Sequence, residues 1–194
     1  MDKKKKRVKE ILRAAELMFL MKGFNNSSMD EIADLANLGK GTIYYYFRSK
    51  DEIFLSIIKR EADKVYEEIV KRVSKEKSLY EIVKEIISFY LEYFSKNQTF
   101  LRLFFPCIAG LIKIEKKELL KEYTKSYRKH LKFIKTIISK KIEEERKTFS
   151  LKSLLNLINV FQIGIGLKLL EGKEKEAKES LRLFLKIIKK FLEG

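Results

Sequence analysis

The chain has 194 residues, 45% hydrophobic and 36% charged, and its 43 Lys and Arg against 27 Asp and Glu give a formal net charge of +16. That length holds one or two small domains with a sizeable core, and that charge suits a polyanion or an acidic membrane surface. One cysteine, Cys107, excludes an intrachain disulfide and a cysteine zinc site, which fits a reducing cytoplasm, and one histidine, His130, excludes a multi-histidine metal site. A single proline, Pro106, and eight glycines leave few interruptions of helix, so the composition reads as all-α. Abundant Lys with Glu, and no Trp, also fits a thermophile's composition, which accounts for part of the basic excess.

The first residues, MDKKKKRVKEIL, are basic and lead into an amphipathic pattern, not into the apolar core of an export signal. The run from Lys3 to Arg7 reads either as a solvated fray or as an arm on a phosphate backbone. From Val8 the apolar positions 8, 11, 12, 15, 18 and 19 mark one face of a helix that ends at Gly23. Ser28 with Glu31 has capping-box spacing and starts a second helix. Asn37-Leu38-Gly39 then supplies a stop and a restart, since Asn tolerates the left-handed conformation and Gly is an acceptable N-cap. The third helix is short and holds Lys40, Gly41, Thr42, Ile43, Tyr44, Tyr45, Tyr46 and Phe47. Phe24, Ile32, Leu35, Ile43 and Phe47 are the expected core of this small head.

Two helices joined by a three-residue turn form the helix-turn-helix, whose second helix enters the major groove. Lys40 and Lys50 are expected to neutralise phosphates, with Ser28 and the hydroxyls of Tyr44, Tyr45 and Tyr46 as further partners, while Gly41 and Thr42 lie nearest the base edges. A helical hairpin with amphipathic surface tyrosines is the alternative, and residue order decides between them. The segment from Gly23 to Lys50 closely resembles the N-terminal domain of the TetR family of transcriptional regulators, matching at Gly23, Phe24, Ser27, Ser28, Ile32, Ala33, Ala36, Gly41, Thr42, Ile43, Tyr44, Tyr46, Phe47, Ser49 and Lys50. Asn37 stands where that family usually has Gly, and Gly39 where it has Ser, which removes a hydroxyl that often touches phosphate. The resemblance covers residues 8 to 58. It implies a DNA-binding domain at 1–49 and a helical effector-binding and dimerisation domain at 50–194, about nine helices in all.

Ser49 begins a helix of about 25 residues joining head to body, on the pattern Ile53, Phe54, Ile57, Ile58, Ala62, Val65, Ile69 and Val73. Ser78 to Ser95 is a second long amphipathic segment. Thr99 to Leu111 clusters aromatic residues around Pro106, where a kink is expected. Glu115 to Arg146 follows as another long helix. Ser153 to Leu167 contains no charge, is shorter than the roughly 20 apolar residues of a membrane span, and reads as a helix buried on most sides. The last helix runs from Glu174 to Leu192.

No catalytic constellation emerges: Glu143, Glu144 and Glu145 fan around a helix, and Gly164-Ile165-Gly166 follows no strand. The chain is not expected to be an enzyme or to carry a cofactor or metal. Tyr90, Tyr93, Phe94, Phe100, Leu103, Phe104, Cys107, Leu111, Tyr123 and Tyr127 are either core or the lining of a pocket for a small apolar or amphipathic effector, and the family resemblance implies the pocket. It further implies a homodimer through the helices near 150–171 and 174–192, and a cytoplasmic repressor released from a pseudo-palindromic operator by the effector. A ligand-independent architectural DNA binder is the alternative, with a membrane-surface or adaptor module a second rival.

Overall fold

The computed structural model describes residues 3–73, 77–103, 105 and 117–193, with backbone alone for 117–127, 129 and 130. Nine helices and no strand occur among the described residues. They are α1 (Lys3–Lys22), α2 (Met29–Leu35), α3 (Lys40–Tyr46), α4 (Lys50–Arg72), α5 (Leu79–Lys96), α6 (Gln98–Leu103), α7 (Lys117–Glu144), α8 (Leu151–Leu170) and α9 (Glu174–Glu193). The chain divides into two compact units, one of residues 1–62 with 102–126 and the other of 63–101 with 127–194. The division falls within α4, past the 49/50 boundary that the head motif suggests.

In the first unit α1, α2 and α3 close around Ile11, Ala15, Phe19, Ile32 and Ile43, all essentially inaccessible, with Ile53 and Ile57 of α4. Phe24 meets Phe19 and Phe54 at ring-centroid distances of 5.3 and 4.9 Å, which fixes the loop after α1 to the start of α4. Arg60 of α4 binds Glu16 of α1 and its neighbour Glu61, so one guanidinium clamps α1 to α4. Two expectations change here. Helix α1 starts at Lys3, so the basic run from Lys3 to Arg7 is helical, about one and a half turns, and not a frayed end. Leu35 is 42% exposed: it lies at the end of α2, beyond the inward row of Met29, Ile32 and Ala33.

In the second unit α5 packs on both α8 and α9, burying Leu79, Ile82, Val83, Ile86 and Ile87. Ser78 and Glu81 form a capping box at its start. Glu145 accepts a hydrogen bond from the Leu79 N–H at 2.6 Å, serving another donor of that first turn. Helix α8 is not buried on most sides within one copy. It spans 20 residues and is long and apolar enough to cross a membrane by length and composition, yet only 28% of its apolar window is buried. Leu154, Ile158, Ile165 and Leu169 face the unit, whereas Leu157, Val160 and Leu167 are exposed. On α9, Leu183, Ile187 and Phe191 make a parallel exposed row at a spacing of four, and Phe161 stacks on Phe184 at 4.0 Å between the two helices.

Candidate nucleic-acid interface

Helix α2 is set by local chemistry. The Ser28 hydroxyl accepts from the Glu31 N–H at 3.2 Å, and the Glu31 carboxylate accepts from the Ser28 N–H at 2.9 Å. Lys22, at the end of α1, binds the other Glu31 oxygen. That ion pair, joined by the Ser28 hydroxyl and N–H, holds the Glu31 carboxyl down at about 2. At its far end α2 closes through hydrogen bonds from the Leu38 N–H to Ala33 and from the Asn37 N–H to Asp34, with Asn37 at φ +53°. This is a full Schellman turn, with Asn taking the left-handed residue. Gly39 is the N-cap of α3 and offers no side-chain bond.

Helix α3 turns Ile43 fully inward, which sends its neighbours out. Tyr44 is 50% and Tyr45 78% exposed, and Tyr46 stands edge-on to Tyr45 with centroids 5.2 Å apart. A Cβ on Gly41 would meet nothing within 4 Å, and Gly41 is helical. No contact inside the chain requires glycine there. Lys40 is exposed and bound to Asp30 in the first turn of α2, which brings the starts of the two helices together. The hydrogen bond to Asp30, reinforced by its charge, raises the Lys40 pKa. Thus Ser28, Lys40, Gly41, Thr42, Tyr44, Tyr45 and Tyr46 all lie on this two-helix element, with hydroxyl, ammonium and open backbone directed away from the core.

Lys50 does not join that set. Its ammonium donates to the carbonyls of Phe24, Asn25 and Ser27 at 2.7, 2.9 and 2.9 Å and sits 4.8 Å from the centroid of the Phe24 ring. An ammonium has three N–H donors, and all are used. Lys50 is expected to meet a phosphate, and in this structure it ties the α1–α2 loop to the start of α4 instead of standing free. Its partners lie 23 to 26 residues earlier in a segment without periodicity, so no sequence pattern announces them.

The aromatic residues proposed for an effector are only partly described. Tyr90, Tyr93, Phe94 and Phe100 join in a ring cluster in the second unit, with Tyr93 5.5 Å from Phe100 and Phe94 stacked on Phe100 at 6.4 Å. Leu103, at the end of α6, belongs to the first unit. Phe104, Cys107 and Leu111, and the side chains of Tyr123, Tyr127 and His130, lie outside the described residues, as does Pro106. A groove of about 360 Å³ in the second unit is lined instead by Ser88, Leu91, Glu92, Ser95 and Lys96 of α5 with Glu174 and Lys178 of α9. No cluster of metal-ligating groups occurs among the described residues.

Residues 11–57 match the family model of the tetR family of bacterial regulatory proteins, which takes in the whole of α2, its turn and α3. Over that segment the chain is similar to the TetR family. Among curated members, the transcriptional regulator QacR of Staphylococcus aureus is 30% identical over 105 residues, covering 45% of this chain and 56% of QacR. The repressor BepR of Brucella suis is 50% identical over 50 residues, covering 26% of this chain and 24% of BepR. The matched part thus spans from about a quarter to about half of these relatives' own length. Solved structures extend the likeness of fold over the chain. A TetR-family regulator from Syntrophomonas wolfei covers 95% of each chain at 24% identity with a TM-score of 0.76, and FadR of Bacillus subtilis, in complex with stearoyl-CoA, covers 91% of this chain and 96% of its own at 16% identity and 0.75. The relatives in this family are transcriptional regulators, not enzymes.

Proposed function

We propose that the protein is a dimeric, effector-responsive repressor. Two copies present their α3 helices to successive major grooves of a pseudo-palindromic operator. Lys40, Ser28 and the three tyrosine hydroxyls meet phosphates, and Gly41 and Thr42 lie against base edges. The observation that carries this reading is the helix-turn-helix whose second helix leaves Lys40, Gly41, Tyr44 and Tyr45 exposed. Open space over Gly41 and a 78% exposed Tyr45 suit close approach by a duplex.

The exposed rows of α8 and α9 support the dimer. Two such rows are a poor fit to water and a good fit to their own copies across a two-fold axis, where a core is in effect divided between subunits. The same pairing supports a cytoplasmic protein over one that spans a membrane, since Asn156, Asn159 and Gln162 lie within α8.

For the effector, the ring cluster around Tyr93 and the stearoyl-CoA bound by FadR favour a long acyl chain, free or as a thioester. A curated fatty acid metabolism regulator of Bacillus subtilis, 27% identical over 88 residues and covering 45% of each chain, points the same way. A ligand that binds the DNA-incompetent state more tightly weakens operator binding by linkage. Selection of bound sequences from random duplex DNA should return one pseudo-palindrome protected as two half-sites. Adding palmitoyl-CoA or stearoyl-CoA should release it, while free CoA should not. Recovery of DNA without sequence preference would replace the operator reading with an architectural one.

A further inference from the structure

The helical start of α1 is not explained by the head it belongs to. Six of the seven residues from Lys3 to Lys9 are Lys or Arg. The first turn of α1 contains no acidic residue, so these cations sit against the positive end of the helix dipole and against one another. Lys3, Lys5, Lys6, Lys9 and Arg13 have no ion-pair partner among the described residues. The head's later lysines behave differently. Lys22 holds Glu31, Lys40 holds Asp30 and Lys50 holds three carbonyls. Lys3, Lys5, Lys6 and Lys9 are thus left without an ion-pair partner among the described residues, Arg7 being held by Glu10, while charge around the turn is compensated in place.

Lys5, Lys9 and Arg13 follow one another at intervals of four on the exposed side of α1, so they form one row about 12 Å long at 1.5 Å rise per residue. The opposite side, Ile11, Leu12 and Ala15, is locked into the head core, and Lys22 with Phe19 ties the far end of α1 to α2 and its loop. The row is therefore carried rigidly by the unit that bears α3.

We infer that this row is a second, sequence-independent contact with the phosphates of the duplex flanking the operator. Charge complementarity selects the occupant: the cations Lys5, Lys9 and Arg13 in one exposed row, with Lys3 and Lys6 beside them, fit a polyanion. The inference rests on the DNA-binding reading above. Its role is affinity, because contacts to phosphate position a protein without reading sequence.

The test compares the full chain with a K3Q/K5Q/K6Q/K9Q variant on two duplexes. One is cut to the selected operator, and the other adds about one helical turn, or ten base pairs, at each end. Gln matches Lys in helix propensity, and circular dichroism checks that α1 is kept. For the wild-type chain, log K against log salt should be steeper on the long duplex by about 0.9 for each lysine engaged. The variant should lose that difference, bind the long duplex on the order of 10- to 100-fold more weakly at 0.15 M salt, and give a footprint shortened at its outer edges. On the short duplex the two proteins should be equal. An unchanged slope and footprint for the variant on long DNA would overturn the inference. So would variant-sensitive binding to phosphatidylglycerol vesicles with DNA binding unaffected. Failure of the wild-type chain on the short duplex would instead remove the DNA-binding reading itself.

Discussion

The head and the last two helices both leave a face uncovered, and the two faces differ in kind. On α3 the uncovered groups are hydroxyls, an ammonium and bare backbone, which water satisfies well. On α8 and α9 they are Val160 at 67%, Ile187 at 60% and Leu183 at 60% exposure, which water does not satisfy. A polar face can wait for its partner, so its occupancy can be regulated. An apolar face of this kind favours a lasting partner. On the proposed function, regulation would fall to α3 and assembly to α8 and α9, at opposite ends of the chain.

The largest effect should come from breaking the apolar face. Leu183→Lys with Ile187→Lys puts four charges into a two-copy interface. With about 1.5–3 kcal/mol for each apolar side chain no longer buried, self-association in sedimentation should weaken more than a thousandfold. Operator affinity should fall with it. If the double variant remained dimeric, the difference between the two faces would vanish. Next in size is Lys50→Met, which leaves three carbonyls of the α1–α2 loop without their charged donor and should cost about 1–3 kcal/mol in urea unfolding. The salt dependence of DNA binding should stay as in the wild type, whereas a true phosphate contact would lower its slope by about 0.9.

Gly41→Ala separates folding from reading. Ala fits the open space and should stabilise α3 by about 0.5–1 kcal/mol. Its methyl would stand where a base edge approaches, and operator affinity should drop on the order of tenfold, a loss of 1.4 kcal/mol. A variant gaining both stability and affinity would deny Gly41 its place at the interface. The smallest effect is one of pH. Glu31 is depressed from an ordinary 4.5 to about 2, so its contribution to stability is complete above 4.5 and is lost as pH falls towards 2. Glu31→Gln should flatten the acid limb of the stability profile in that window.

Much of the head was legible because its signals are local. Ser28 with Glu31, Asn37 and Gly39 each act within a few residues of themselves, and each occupies the place its chemistry suggests. What escaped reading depends on distant partners. Lys50 looks like a phosphate ligand until Phe24, Asn25 and Ser27 are seen beneath it. Leu35 fits the inward pattern, yet α2 ends before its turn can bury it. The start of α1 shows no apolar period from Lys3 to Arg7, so propensity is what marks those residues as helix. Composition alone reads α8 as buried on most sides, because an apolar helix inside one copy's core and one with an exposed apolar face have the same composition.

The pairing of Lys40 with Asp30 gives the reading helix the character of an ion exchanger already loaded with an internal anion. On the proposed DNA contact, a phosphate would displace the carboxylate, one bound anion would be traded for another, and few mobile cations would be set free in the trade. Lys40 would then add little to the salt dependence of binding. It would discriminate by place, since only a phosphate presented at the joined starts of α2 and α3 could outcompete an aspartate held there by the fold.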